Sequence, residues 1–295
     1  MLWLKLSQIF TFSCIFFVVS ANLPVLIWHG LLSDPRNNFN YFKQMMKDEA
    51  NVTVKSVDLT VNNLHEREVS VSVHLFNQID QVCYEIKKDE ELKNGFNAIG
   101  LSQGGQFMRG LIQRCDAVKV KNFISFGGQH QGIFGLPNCS ISSSMSPCNL
   151  LRKLLNVFAY TDWAQMHIAQ TTYWHDPISR KYQKYNTFIA DINNERDINM
   201  DYIHRLQQLN KFVLIKFLRD EMVQPIETQW FGFYKPGSDR IVQNMTETAT
   251  YIEDKLGLRK MMESRKIIFL AIDDEHLNIA TEWFREHIIP LLKDN

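Results

Sequence analysis

Residues 100 to 104 read Gly100-Leu101-Ser102-Gln103-Gly104. They follow a short apolar run, FNAIG, and lead directly into a helical pattern, GGQFMRGLIQRC. A serine between small residues on a strand-to-helix turn is the pattern of a nucleophile elbow, in which strained backbone presents the hydroxyl and glycines let strand and helix approach. The bare pattern arises by chance in roughly one chain of this size in ten. Its strand-turn-helix setting is what separates it from a Gly-rich turn that only connects elements. A serine hydroxyl is a poor nucleophile without a histidine base, and the base needs a carboxylate to fix its tautomer.

Hydrolases with this elbow order the three groups Ser, Asp/Glu, His along the chain. Sites in open parallel sheets form at the carboxyl ends of strands, which selects Asp220, ending KFVLIKFLRD, and His276, following KIIFLAIDDEH. His287 falls in a terminal helical pattern. His167, His175 and His204, with Asp176, Asp191 and Asp201, fall in a stretch without strand character. Asp273 and Asp274 follow a strand but stand too close in sequence to His276 to reach its distal ring nitrogen easily; Asp274 is the second choice of acid. The tetrahedral oxyanion also needs N–H donors. Gln103, directly after the serine, supplies one, and Leu31, after His29-Gly30 at the end of LPVLIWHG, is the expected second. His29 itself either packs at the strand end or shapes that loop.

These groups need a scaffold, and the apolar segments supply one. LPVLIWHG (23–30), VTVKSVDL (52–59), FNAIGLS (96–102), VKNFISFGG (120–128), KFVLIKFLRD (211–220) and KIIFLAIDDEH (266–276) are mostly continuous rather than alternating, as in strands covered on both faces. Between several of them lie helical stretches: NYFKQMMKDEA, residues 69 to 90, and QGGQFMRGLIQRC. Alternation of strand and helix predicts a mostly parallel α/β sheet flanked by helices. Residues 130 to 210 break the alternation and read as an inserted helical subdomain. The C-terminal IATEWFREHIIPLL spaces Ile279, Trp283, Phe284, Ile288 and Leu291 as one helix docking on the sheet.

With 45% hydrophobic residues, 22% charged and 12% aromatic, the 295-residue chain has globular composition, neither disordered nor polytopic. Thirty-two basic against thirty-two acidic residues give no net charge and no general attraction to nucleic acid or anionic lipid. The N-terminus, with Lys5, an apolar stretch from Ile9 to Val19, then Ser20 and Ala21, reads as a signal peptide over residues 1–21, too short in its apolar part for a membrane anchor. That leaves residues 22–295 as the hydrolase domain and Cys83, Cys115, Cys139 and Cys148 in an oxidising compartment. Two disulfides are expected, with three possible connectivities. Cys139 and Cys148 bracket a short Ser/Pro-rich loop, and their pairing leaves Cys83 for Cys115. Asn51, Asn138 and Asn244 open glycosylation sequons. Neither CxxC nor HExxH occurs, so a metal site has little support, and serine-dependent hydrolysis calls for no cofactor.

The segments LPVLIWHG, NAIGLSQGGQFMRG, SFGGQHQGIFGLPNC, YWHDPI, FIADINNER, KFVLIKFLRD, WFGFY and HLNIATEWF together resemble the palmitoyl-protein thioesterase 1 family, lysosomal enzymes of the α/β-hydrolase fold that remove long acyl chains from cysteine. The resemblance runs from residue 23 to about 284. It implies Ser102 as nucleophile, Asp220 as acid and His276 as base, and disulfides Cys83–Cys115 and Cys139–Cys148. It also implies S-acylated proteins or peptides and long-chain acyl thioesters as substrates, and a lysosomal destination reached through the secretory pathway, with secretion as the alternative and a sorting receptor reached through N-glycans. Two departures stand out: the loop after His29-Gly30 reads LLSDPRNN without a cysteine pair, and Arg219 precedes the acid where relatives carry asparagine.

A palmitoyl chain has about fourteen methylenes, worth on the order of 10 kcal/mol on transfer from water. Apolar side chains can therefore dominate recognition. The candidates are Phe134 and Trp174 in the insertion and Met222 and Trp230 after Asp220, drawn from a larger set that includes Ile133, Leu151, Leu155, Phe158, Trp163 and Met166. The alternatives are a lipase or carboxylesterase using the same triad on oxygen esters, and a catalytically silent lipid-binding relative.

Overall fold

The structure is a computed structural model that describes residues 22–30, 39–59, 73–135 and 147–293. The strands are β1 (Val25–Trp28), β2 (Val54–Ser56), β3 (Phe96–Leu101), β4 (Val120–Phe126), β5 (Lys211–Phe217), β6 (Phe233–Tyr234), β7 (Val242–Gln243) and β8 (Ile267–Ile272). Six of them form one sheet in the order β2-β1-β3-β4-β5-β8, and every neighbouring pair is parallel. Each of the six apolar segments supplies one of these strands. The β6–β7 pair is a small antiparallel ribbon within and after WFGFY.

Parallel neighbours need crossovers, and helices provide them. Helix α1 (Asn40–Ala50) joins β1 to β2, α2 (Leu75–Lys88) precedes β3, and α3 (Gln103–Arg114) joins β3 to β4. Between β4 and β5 the described chain is helical: α4 (Pro147–Phe158), α5 (Asp162–His167), α6 (Lys181–Tyr185), α7 (Ile189–Ile192) and α8 (Met200–Gln207). Helices α9 (Ala249–Ile252) and α10 (Leu258–Glu263) precede β8, and α11 (Thr281–His287) and α12 (Ile289–Lys293) follow it. A mostly parallel sheet with helices on both faces is the expected α/β-hydrolase architecture.

The alternation of side chains across the sheet feeds two cores. Val25 and Ile27 point to the face covered by Met45 and Met46 of α1 and by Phe284 and Ile288. Leu26 and Trp28 point to the other, against Phe107 and Leu111 of α3. The C-terminal stripe docks as its spacing predicts, with Phe284 and Ile288 fully buried. It forms two short helices rather than one. Pro290 lacks an N–H and its ring crowds the preceding turn, and the chain breaks at Ile288.

Candidate active site

β3 ends at Leu101 and α3 begins at Gln103, so Ser102 alone makes the turn. Its backbone sits at φ 53 and ψ −122, a sparsely populated region for a residue with a side chain. The turn is held from both sides. Ser102 N donates to Phe126 O on β4 at 2.7 Å, and Gly105 N donates to Ser102 O at 2.9 Å. The flanking glycines are sterically required: a Cβ on Gly104 would lie 2.1 Å from Trp28 O, and one on Gly100 would lie 2.5 Å from the Cα of Gly105.

The residues at the ends of β5 and β8 converge on this serine. Ser102 Oγ lies 2.8 Å from His276 Nε2, and His276 Nδ1 lies 2.5 Å from Asp220 Oδ2. Asp220 is buried, and its second oxygen accepts from the Met222 and Val223 N–H groups at 2.8 and 3.0 Å. Gln229 Nε2 donates to Oδ2 at 2.9 Å, while Gln229 Oε1 accepts from Phe217 N at the end of β5. Gly127, at φ 64, lies against the His276 ring, where a Cβ would meet Cε1 at 2.9 Å. Phe217 packs near the ring with centroids 5.9 Å apart.

Hydroxyl, imidazole and carboxylate in this order can move a proton off the serine and stabilise the imidazolium that results. Gln103 opens α3, at the positive end of that helix. Asp274, the second choice of acid, faces away: it pairs with Arg219 at 3.2 Å and accepts from Asn278 at 3.0 Å.

With this geometry in place, the relatives become informative. A sequence model of the palmitoyl protein thioesterase family matches residues 24–276, a span that begins before β1 and ends on His276. The chain belongs to that family. It is 41% identical over 264 residues to palmitoyl-protein thioesterase 1 of Caenorhabditis elegans, covering 88% of each protein. It is 30% identical to palmitoyl-protein thioesterase 3 of Dictyostelium discoideum over 94% of each. A lysosomal thioesterase homolog of Drosophila melanogaster is 26% identical over 87% of this chain and 86% of its own length. Among solved structures, a monoacylglycerol lipase of Paleococcus ferrophilus matches 92% of this chain and 96% of its own, at 11% identity and a TM-score of 0.48.

In this palmitoyl protein thioesterase family member, Cys83 of α2 is bonded to Cys115, directly after α3. Leu31, Asn138, Cys139 and residues 1–21 lie outside the described residues, as does the side chain of Cys148. Asn51 and Asn244 are exposed. His29 is buried at the end of β1 and its Nδ1 meets Gly30 O at 2.8 Å. Three of the set-aside histidines are occupied elsewhere. His175 is stacked between Tyr182 and Phe233, and His167 and His287 lie on Trp163 and Trp283.

The four side chains expected to contact the acyl group have different immediate neighbours. Phe134 and Trp174 meet at 5.4 Å between ring centroids, and both are buried. Trp230 instead packs on Phe269 and donates its indole N–H to Leu214 O. Met222 is exposed and adjoins the triad through its backbone bond to Asp220.

Three neighbours of the site escaped reasoning from residue type: Gly127, Gln129 and Gln229. Gln129 Nε2 is 3.4 Å from Ser102 Oγ. The strand-end rule that selects Asp220 also covers Gly127-Gly128-Gln129, directly after β4.

Proposed function

We propose that this protein hydrolyses long-chain fatty acyl thioesters on cysteines of proteins or peptides, with Ser102 as nucleophile, His276 as base and Asp220 as the group that orients it. The observation that carries the reading is the continuous Ser102–His276–Asp220 hydrogen-bond chain in a member of the palmitoyl protein thioesterase family. Ser102 Oγ attacks the thioester carbonyl while His276 Nε2 takes its proton. The oxyanion is stabilised by the Gln103 N–H and, as a further assignment, by that of Leu31. The cysteine sulfur then leaves with the proton held by His276, and water releases the acid by the same steps in reverse. A thiol with a pKa near 8.5 departs far more readily than an alkoxide, so less is asked of His276 as acid than an oxygen ester would ask. Met222, exposed beside Asp220, is the best placed of the proposed acyl contacts.

The names of the Caenorhabditis, Dictyostelium and Drosophila relatives support the substrate class and a lysosomal location. Among the described residues, no helix is long and apolar enough to cross a membrane. Replacement of Ser102 by alanine is expected to lower palmitoyl-thioester turnover by at least about 10³-fold with the circular dichroism spectrum unchanged. Undiminished turnover overturns the assignment. A matched palmitoyl oxygen ester assayed in parallel is expected to be the poorer substrate.

A further inference from the structure

Gln129 follows Gly127 and Gly128 at the carboxyl end of β4, and its backbone is held in a turn by the Gly132 N–H, 3.0 Å from its carbonyl. The residue is 7% exposed. Which end of its amide faces the serine follows from the protons of the triad. His276 Nδ1 donates to Asp220, so Nε2 is an acceptor and the Ser102 hydroxyl donates to it. Ser102 Oγ then has only lone pairs to offer, and only the NH₂ end of Gln129 can approach it, as the 3.4 Å contact to Nε2 requires. That leaves the carbonyl end, Oε1. It is buried and has no hydrogen-bond partner among the described residues.

A buried acceptor without a donor is costly, and native structures keep few of them. One carried on the amide that touches the reactive hydroxyl points to a donor that arrives with the substrate. We propose that Gln129 Oε1 accepts the N–H of an amide two carbons from the thioester sulfur, the backbone N–H of the acylated cysteine itself. This rests on the thioester reading above and sharpens its substrate class: the leaving group is recognised by its amide and not by the thioester alone. The sulfur and two carbons between the thioester carbonyl and that N–H form a spacer whose single bonds let it fold back toward the Gln129 amide. Acylated N-acetylcysteamine has the same spacing, while the cysteine source adds the second peptide group.

The test compares S-palmitoyl-N-acetylcysteamine with S-palmitoyl-2-acetoxyethanethiol, in which an ester oxygen replaces the N–H, on the intact protein. Wild type is expected to favour the amide by about tenfold in kcat/KM, because the analogue leaves Oε1 unpaired. Gln129→Met is expected to bring that ratio to within about twofold of one, whatever loss both substrates share. A wild-type ratio near one, or a ratio unchanged in the variant, overturns the proposal, and the wild-type comparison needs no variant to fold. S-palmitoyl-N-acetylcysteine methylamide is expected to match or exceed the cysteamine thioester, and a tenfold deficit overturns cysteine as the source. If neither thioester is hydrolysed the thioester reading itself fails. If both are hydrolysed equally, only the Gln129 assignment falls.

Discussion

Asp220 accepts four hydrogen bonds, from His276, Gln229 and the amides of Met222 and Val223. Such a carboxylate has its lone pairs committed, and it holds the imidazole with Nδ1 protonated and Nε2 free to take the serine proton. Asparagine at this position would turn an NH₂ group toward at least one of those donors. Asp220→Asn is therefore expected to cut kcat by roughly 10³- to 10⁴-fold with little change in KM, measured by steady-state kinetics on a palmitoyl thioester. At this scale the sequence was informative where chemistry restricts the residue type. Acids and histidines just past strand ends are few, and elimination left Asp220 and His276. Gln129 and Gln229 were not legible, because glutamine is common and uncharged and its role depends on where a loop returns in space.

At the scale of elements, the β3-turn-α3 unit was read correctly as an elbow, and its glycines have distinct duties. Gly104 packs directly on the end of β1, where Trp28 O and His29 O occupy the space a methyl group would need. Both are backbone atoms and cannot rotate aside. Gly104→Ala is expected to destabilise the protein by about 3 kcal/mol and to lower turnover by displacing the serine, checked by urea denaturation alongside activity. A variant with wild-type stability would show that β1 and α3 can separate freely. Two features of the helices were not legible. Pro290 divided a stripe whose spacing alone reads as continuous. The other is α3, whose sequence has glutamines and an arginine suited to a solvated face. Its residues from Gln103 to Gln113 are all buried, because the chain between β4 and β5 covers the outer side.

At the scale of the molecule, that burial has consequences for pH. Burial lowers the pKa of His175 to about 3 and takes that of His130 well below the ordinary value. Between about pH 6.5 and 3 an unfolded chain binds a proton on His175 that the folded chain refuses, so this residue's contribution to stability falls as pH drops through that window. Burial acts oppositely on Glu195 and Asp176, whose raised pKa values mean that the folded state binds their protons more readily than the unfolded chain. Their contribution favours the folded state as pH falls, offsetting the histidines. His175→Phe keeps the stack between Tyr182 and Phe233 and removes the proton site. Its unfolding free energy between pH 6.5 and 4 is expected to depend less steeply on pH than that of wild type, by up to about 1.4 kcal/mol per pH unit. Urea titrations at several pH values measure this, and parallel curves would contradict it.

Arg109 of α3 is fully buried, and its guanidinium donates to His130 O, Ile192 O, Asn193 Oδ1 and Gln113 Oε1. The helix that starts beside Ser102 thus grips, two turns later, both the chain leaving β4 and the helical segment around α7. Swinging that segment away would strand a cation among unpaired carbonyls. One buried cation thus joins the chain after β4, the segment around α7 and the helix that follows Ser102. These three stretches therefore share one fastening, and none can leave it without unpairing a buried charge.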